Sequence, residues 1–212
     1  MPLIETTRLN KTTRYGIWRI SESTSALKNA YSQFLPDEPY ILTIKNKHRV
    51  KESLAARLTL KYLLEYEEIE FDGVRRDEFN KPHLIGYDSL YISLAHSFPY
   101  AVAIFNKAKP TGIDIEEVSD RPATIAHKFL NYNELLNASD DAEMLTAYWT
   151  IKETLYKAYG KRKLIFKDNL IIEPFRLGSI GKTKGMIKTS EKEDIQKIHL
   201  KKHDNFILSC NY

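Results

Sequence analysis

Apolar and polar positions change period several times along the 212 residues, and each change marks an element. "RYGIWRI", Arg14 to Ile20, is rich in aromatic and branched residues and predicts an opening strand. A Ser/Thr cluster suited to capping then precedes a helix in "ALKNAYSQF". A longer helix, starting between Asn46 and Lys51, shows an apolar stripe of Leu54, Leu58 and Tyr62, thickened by Ala55, Leu63 and Leu64. "LYISLAHSFPYAVAIF" predicts two strands on either side of a polar break at "AHSFP".

"NKAKPTG" has Pro, Gly and few apolar residues, and predicts a linker between an N-terminal half, 1–106, and a C-terminal half, 107–212. Beyond it, "GIDIE" alternates as a strand does, and "ATIAHKFLNYNELLNA" reads as a helical stretch. "DDAEMLTAYWTIKETLYKAYG" carries the strongest helical pattern. Capping acids open it, Leu145, Tyr148, Trp149, Leu155, Tyr156 and Tyr159 supply a packing face, and Gly160 ends it. From about Asn169 onward, short strand-like runs alternate with turns and close on "NFILSCNY". This order is not a regular βαβ alternation, so the expected fold class is α+β.

Composition narrows the class without naming a function. A hydrophobic content of 42% and a charged content of 28% are ordinary for a globular protein. No apolar run approaches the roughly 18 residues a membrane helix needs. "MPLIETTRLNKTTRYGIWRI" lacks the apolar core of an export signal. The single cysteine, Cys210, cannot form an internal disulfide, which fits a reducing cytoplasm, and its place in the last strand suits a small buried apolar residue. The net charge of +4 is compatible with nucleic acid, an anionic small molecule or an acidic protein. Acidic residues are spread through the chain and no nucleic-acid signature accompanies them, so charge alone decides nothing.

Candidate chemistry clusters at Asp114, Glu116 and Glu117, three carboxylates in four positions. In a strand, Asp114 and Glu116 share a face while Ile113 and Ile115 take the other. Such a pair is either a solvated acidic turn or a hard-oxygen site for a cation such as Mg²⁺. Glu153 and Lys157, four apart on a helix, suit a surface ion pair. Arg49, Ser53 and Arg57 lie along one helix face, as solubilising residues or as anion contacts. Asn80, ahead of Lys81-Pro82, suits a turn with positive φ. His96 and Ser97 at the strand break could bind an anion or simply cap the turn.

Taken together, these residues resemble the two-part signature of the 4′-phosphopantetheinyl transferase superfamily. Gly112-Ile113-Asp114-Ile115-Glu116 resembles its first part, and Trp149, Lys152, Glu153 and Lys157 its second. Phe129 and Glu134 in "KFLNYNE" resemble the F-x-x-x-x-E segment between them. "NKPHL" resembles the G-K-P loop and "LAHS" the S-H-S turn. The likeness runs from about Arg49 to about Phe166, and the chain length resembles the surfactin-type branch rather than the short trimeric synthases.

The resemblance implies two similar α+β halves on one chain, with a coenzyme A and metal site at their interface. It implies transfer of 4′-phosphopantetheine from coenzyme A to a serine of an apo acyl or peptidyl carrier protein, releasing adenosine 3′,5′-bisphosphate. Asp114, Glu116 and Glu153 would hold Mg²⁺, a count that leaves room for waters and phosphate oxygens. Glu153 or a metal-bound water would act as general base, and Lys157 would neutralise phosphate charge. Lys152 would be a weaker coenzyme contact beside Lys157, while Lys81 and His96 would bind the 3′-phosphate with Arg49 as a further cationic contact. Arg57 ranks below Arg49, and the role of Glu134 is left open. Lys161, Arg162 and Lys163 would either help dock an acidic carrier or form a solvated turn. A cytoplasmic monomer, without nucleic acid or membrane partners, completes the expectation.

Two positions depart from the family pattern. Ala95 stands where a Ser often precedes the His, removing one possible phosphate hydrogen bond, and Asn80 replaces the usual Gly. The competing functions are a coenzyme A-binding protein of the same fold without catalysis and a basic nucleic-acid-binding module. The intact acidic and lysine set disfavours the first, and the lack of a stacking platform disfavours the second.

Overall fold

Asn46 sets the start of the first long helix: its side-chain oxygen accepts from the amides of His48 and Arg49, donors that a first helical turn leaves unpaired. The computed structural model describes residues 3–34 and 39–212. The chain divides into two units, Met1–Pro110 and Thr111–Tyr212.

In the first unit, β1 (Leu3–Arg8), β2 (Thr13–Arg19), α1 (Thr24–Ser32), α2 (Pro39–Thr43) and α3 (Lys47–Glu65) are followed by β3 (Val74–Arg76), β4 (Pro82–Leu84), β5 (Tyr91–Ser97) and β6 (Tyr100–Asn106). The strands form an antiparallel sheet in the order β1-β2-β6-β5-β4-β3. β1 is an addition to the sequence reading: "LIETTR" is polar and half-exposed at a sheet edge, so it carries no alternation to detect. α3 packs on β2, β5 and β6 and is covered by α1 and α2. It is therefore buried almost all round from Val50 to Leu64, where the sequence indicated a stripe. Asn80 adopts a φ of +70°, as its place before Lys81-Pro82 suggests.

That enclosure corrects the expectation for the Arg49, Ser53 and Arg57 face. Arg49 is exposed, but Ser53 and Arg57 are buried. The Arg57 guanidinium donates to Ser53 Oγ at 2.6 Å and lies over the Tyr40 ring at 5.3 Å. It packs inside its own unit and is not a surface anion contact.

The second unit contains β7 (Ile113–Glu117), α4 (Arg121–Phe129), α5 (Tyr132–Ala138), α6 (Ala142–Tyr159), α7 (Phe166–Asn169), β8 (Leu170–Ile172), β9 (Ile180–Lys188), β10 (Glu193–His203) and β11 (Phe206–Asn211). Its sheet runs β7-β11-β10-β9-β8, again antiparallel. α6 lies across it against β7, β8, β9 and β11, and buries Leu145, Tyr148, Ile151 and Leu155 with Ile187, Ile198, Leu200 and Ile207. Gly160 ends α6 at a φ of +71°, a left-handed cap that glycine adopts without steric cost.

The stretch read as one helix over 123–138 is two, α4 and α5. Asn131 interrupts it by capping α5: its Oδ1 accepts from the Glu134 amide at 3.0 Å, and Glu134 Oε2 accepts from the Asn131 amide at 2.9 Å. This reciprocal pair favours a new helix start over continuation. Cys210 is fully buried, and burial raises its thiol pKa, in keeping with a packing role. No helix among the described residues is long and apolar enough to cross a membrane.

Candidate active site

Gly112 lets α6 approach β7. A Cβ at this position would stand 2.1 Å from the Thr154 carbonyl oxygen and 2.9 Å from the Ala158 amide nitrogen. Both are helix backbone atoms, which cannot move aside as a flexible side chain can. Further bonds fix the strand: the Gly112 amide donates to Asn211 Oδ1 at 2.6 Å, and Thr154 Oγ1 donates to the Ser209 carbonyl at 2.9 Å. Gly112→Ala is accordingly expected to destabilise the protein by roughly 3 kcal/mol, read as a lower midpoint in urea unfolding. An unchanged midpoint would show that the helix and strand can part without loss.

Asp114 and Glu116 follow Gly112 at strand period and so share its face, opposite Ser209 and Ile207 of β11 in register. α6 presents Trp149, Glu153 and Lys157, spaced at i, i+4 and i+8, to the same place. Lys157 Nζ donates to Asp114 Oδ1 at 2.6 Å and to the Ile113 carbonyl at 3.1 Å. Trp149 Nε1 donates to Glu116 Oε1 at 3.2 Å, and its ring packs edge-on against Phe129, with centroids 5.1 Å apart. Glu117 is exposed at the strand end, as its alternate position predicts.

The three carboxylates strain one another electrostatically. Burial and then the Asp114 charge push Glu116 above the ordinary carboxylate range, against the Trp149 N–H, Lys157 and Arg121. Burial, followed by the charges of Asp114 and Glu116, pushes Glu153 up to about 7, with Lys157 opposing. Lys157 and Arg121 do not offset three acids. Asp114 Oδ2 is also buried and has no hydrogen-bond partner among the described residues.

A cation beside Asp114 would fill that unmet acceptor and relieve both neighbours. Among the described residues no three His, Cys, Asp or Glu side chains form a ready-made metal cage. The set instead fits a hard ion that takes few carboxylates and completes its shell with water and ligand oxygens, as Mg²⁺ does. Asp114, Glu116 and Glu153 are the residues that would hold it.

Lys152 requires a correction. It is fully buried, and its ammonium donates to both Glu134 oxygens at 2.9 and 2.8 Å, to the Phe166 carbonyl at 3.2 Å, and to the Leu170 carbonyl. Its position about 100° around the helix from Glu153 turns it into the core, where it cannot contact a coenzyme. The same bonds give Glu134 a role that the sequence left open. Its Oε1 also accepts from the Ile172 amide at 2.8 Å, so this carboxylate ties together α5, α6 and β8.

The first unit holds the other expected residues. Arg49 is exposed on the first turn of α3. Lys81 is half-buried, and burial lowers its ammonium to about 8 while the Asp77 charge opposes. His96 Nδ1 lies 3.2 Å from Glu52 Oε2. Sequence reasoning missed Glu52, three residues after Arg49 on the same helix, and Arg121, which acts on Glu116 from the start of α4. A charged residue one helical turn from Arg49 was the only available signal for Glu52.

The chain that carries this site is similar to known proteins. Residues 110–210, which contain β7, α6 and β11, match the family model described as the 4′-phosphopantetheinyl transferase superfamily. The 4′-phosphopantetheinyl transferase gsp of Aneurinibacillus migulanus is 24% identical over 180 residues, covering 82% of this chain and 73% of that protein. The 4′-phosphopantetheinyl transferase psf-1 of Bacillus pumilus is 35% identical over 107 residues, covering 47% of this chain and 43% of its own length. In its motifs, in an acidic strand facing a Trp-x-x-Lys-Glu helix, and in these matches, the chain is similar to enzymes of the 4′-phosphopantetheinyl transferase superfamily.

Proposed function

We propose that this protein is a working transferase that moves 4′-phosphopantetheine from coenzyme A to a serine of an apo acyl or peptidyl carrier protein. The observation that carries this reading is the gathering of Asp114, Glu116, Glu153 and Lys157 about one buried, unpartnered carboxylate oxygen. A protein that only held coenzyme A would have no need of that set.

The serine Oγ attacks the β-phosphorus of the coenzyme, and the bond from that phosphorus to the bridging oxygen breaks. Adenosine 3′,5′-bisphosphate leaves. Glu153, half-buried on α6, receives the serine proton. Lys157 already lies against Asp114 and places its charge where the phosphate oxygens gather. Trp149 holds Glu116 through its indole N–H and keeps that acid from turning away. Mg²⁺, when bound, supplies the positive charge that offsets the pyrophosphate. Lys81, His96 and Arg49 of the first unit would receive the coenzyme's 3′-phosphate. The reading carries with it a cytoplasmic monomer.

Incubation with coenzyme A, Mg²⁺ and an apo carrier domain is expected to raise the carrier's mass by one phosphopantetheine. No gain with any of several acyl and peptidyl carriers would sink the enzyme reading in favour of a protein that only binds the coenzyme.

A further inference from the structure

Glu52 is the unexpected neighbour of His96. Its carboxylate is largely enclosed, with 13% of the side chain exposed, and it lies 3.2 Å from His96 Nδ1. An imidazole paired in this way offers only its other nitrogen to a ligand. A phosphate bound there would lie near the Glu52 carboxylate, whose charge repels a dianion.

The remaining groups around the expected phosphate position point the same way. Ala95 has no hydroxyl to donate. Lys81 is accompanied by Asp77, and burial reduces the fraction of its ammonium that is charged near pH 8. Asp77 is itself held by His83 Nε2 at 2.9 Å and by the Lys81 amide at 2.9 Å, so it stays in place. Arg57 is enclosed against Ser53 and Tyr40. Arg49, and Lys51 over the Phe98 ring at 5.9 Å, are then the cations near these residues without a described carboxylate partner.

We propose that Glu52 makes this enzyme largely indifferent to the 3′-phosphate of its donor, so that 3′-dephospho-coenzyme A serves nearly as well as coenzyme A. The inference rests on the transferase reading above. The chemistry at the pyrophosphate is unchanged: the serine oxygen bonds to the β-phosphorus, the bridging P–O bond breaks, and the serine proton goes to Glu153. The released nucleotide is adenosine 5′-monophosphate in place of the bisphosphate.

The test compares kcat/KM for the two donors on one apo carrier domain that accepts transfer, in the wild type and in Glu52→Gln. The wild type is expected to favour coenzyme A by less than about fivefold. Glu52→Gln is expected to multiply that preference about tenfold, through a lower KM for coenzyme A. A wild-type preference of about fivefold or more, or a ratio that Glu52→Gln leaves unmoved, overturns the proposal. Transfer from neither donor would condemn the transferase reading instead. If Glu52→Gln fails to fold, the wild-type ratio alone decides.

Discussion

Glu153→Gln is expected to give a protein that is more stable than the wild type at pH 8 and nearly inactive. The activity loss follows from the proposed role: removing the group that takes the serine proton should slow transfer by about a thousandfold. The stability gain follows from the crowding of charge. Burial and the charges of Asp114 and Glu116 raise the folded-state pKa of Glu153 to about 7, from 4.5 in an unfolded chain. The folded state thus binds this proton more tightly than the unfolded state. Below pH 4.5 the folded protein carries no penalty from the group; the penalty grows between 4.5 and 7 and is complete above 7. Partial exposure of the side chain reduces the full linkage value, leaving about 2 kcal/mol at pH 8, or a Tm shift of about 5 °C. Thermal melts in a metal chelator at pH 8 and pH 4 check the sign, since the two proteins should differ at the first and converge at the second. A variant that melts lower than the wild type at pH 8, or that transfers at near wild-type rate, would refute the assignment.

Lys152→Met should act in the opposite way and be among the most destabilising single changes in the second unit. Lys152 and Glu134 are 0% and 1% exposed, and the ammonium is enclosed by two carboxylate oxygens and two carbonyls. Replacing it by an apolar chain of similar volume leaves the Glu134 charge buried with only the amides of Asn131 and Ile172. The expected cost is about 3–5 kcal/mol in urea unfolding. The double change Lys152→Met with Glu134→Gln should recover at least half of that loss, because no unpaired charge then remains in the core. Losses that simply add across the two positions would show that the residues do not depend on each other.

These two lysine–glutamate stories also mark where the sequence was legible. The strand alternation in Gly112 to Glu116 and the i, i+4 spacing of Glu153 and Lys157 are local patterns, and both elements form where those patterns place them. The α+β class and most strands and helices follow from the same kind of local signal. Lys152 was misplaced because a lysine's ordinary preference is for water, and nothing within a few residues announces Glu134, eighteen positions earlier. Arg57 was misread for the same reason: the helix covering it on the far side is separated in sequence. The break at Asn131 was in principle readable, since Asn followed three residues later by Glu is a capping signature, but the apolar run on both sides concealed it. Glu52 escaped because its significance lies in a contact with a strand more than forty residues away.

The aromatic packing beside the carboxylates has an optical consequence. The chain has two tryptophans, one in each unit. Trp18 stacks on Tyr62 with its indole N–H buried and unpartnered among the described residues, so it emits from dry surroundings. The indole N–H of Trp149 rests on Glu116, where any charge arriving at the acids changes the electric field across the ring. One fluorophore therefore reports on the acidic strand while the other stays a constant reference, and the protein's own emission spectrum distinguishes an event at the carboxylates from loosening of the other unit.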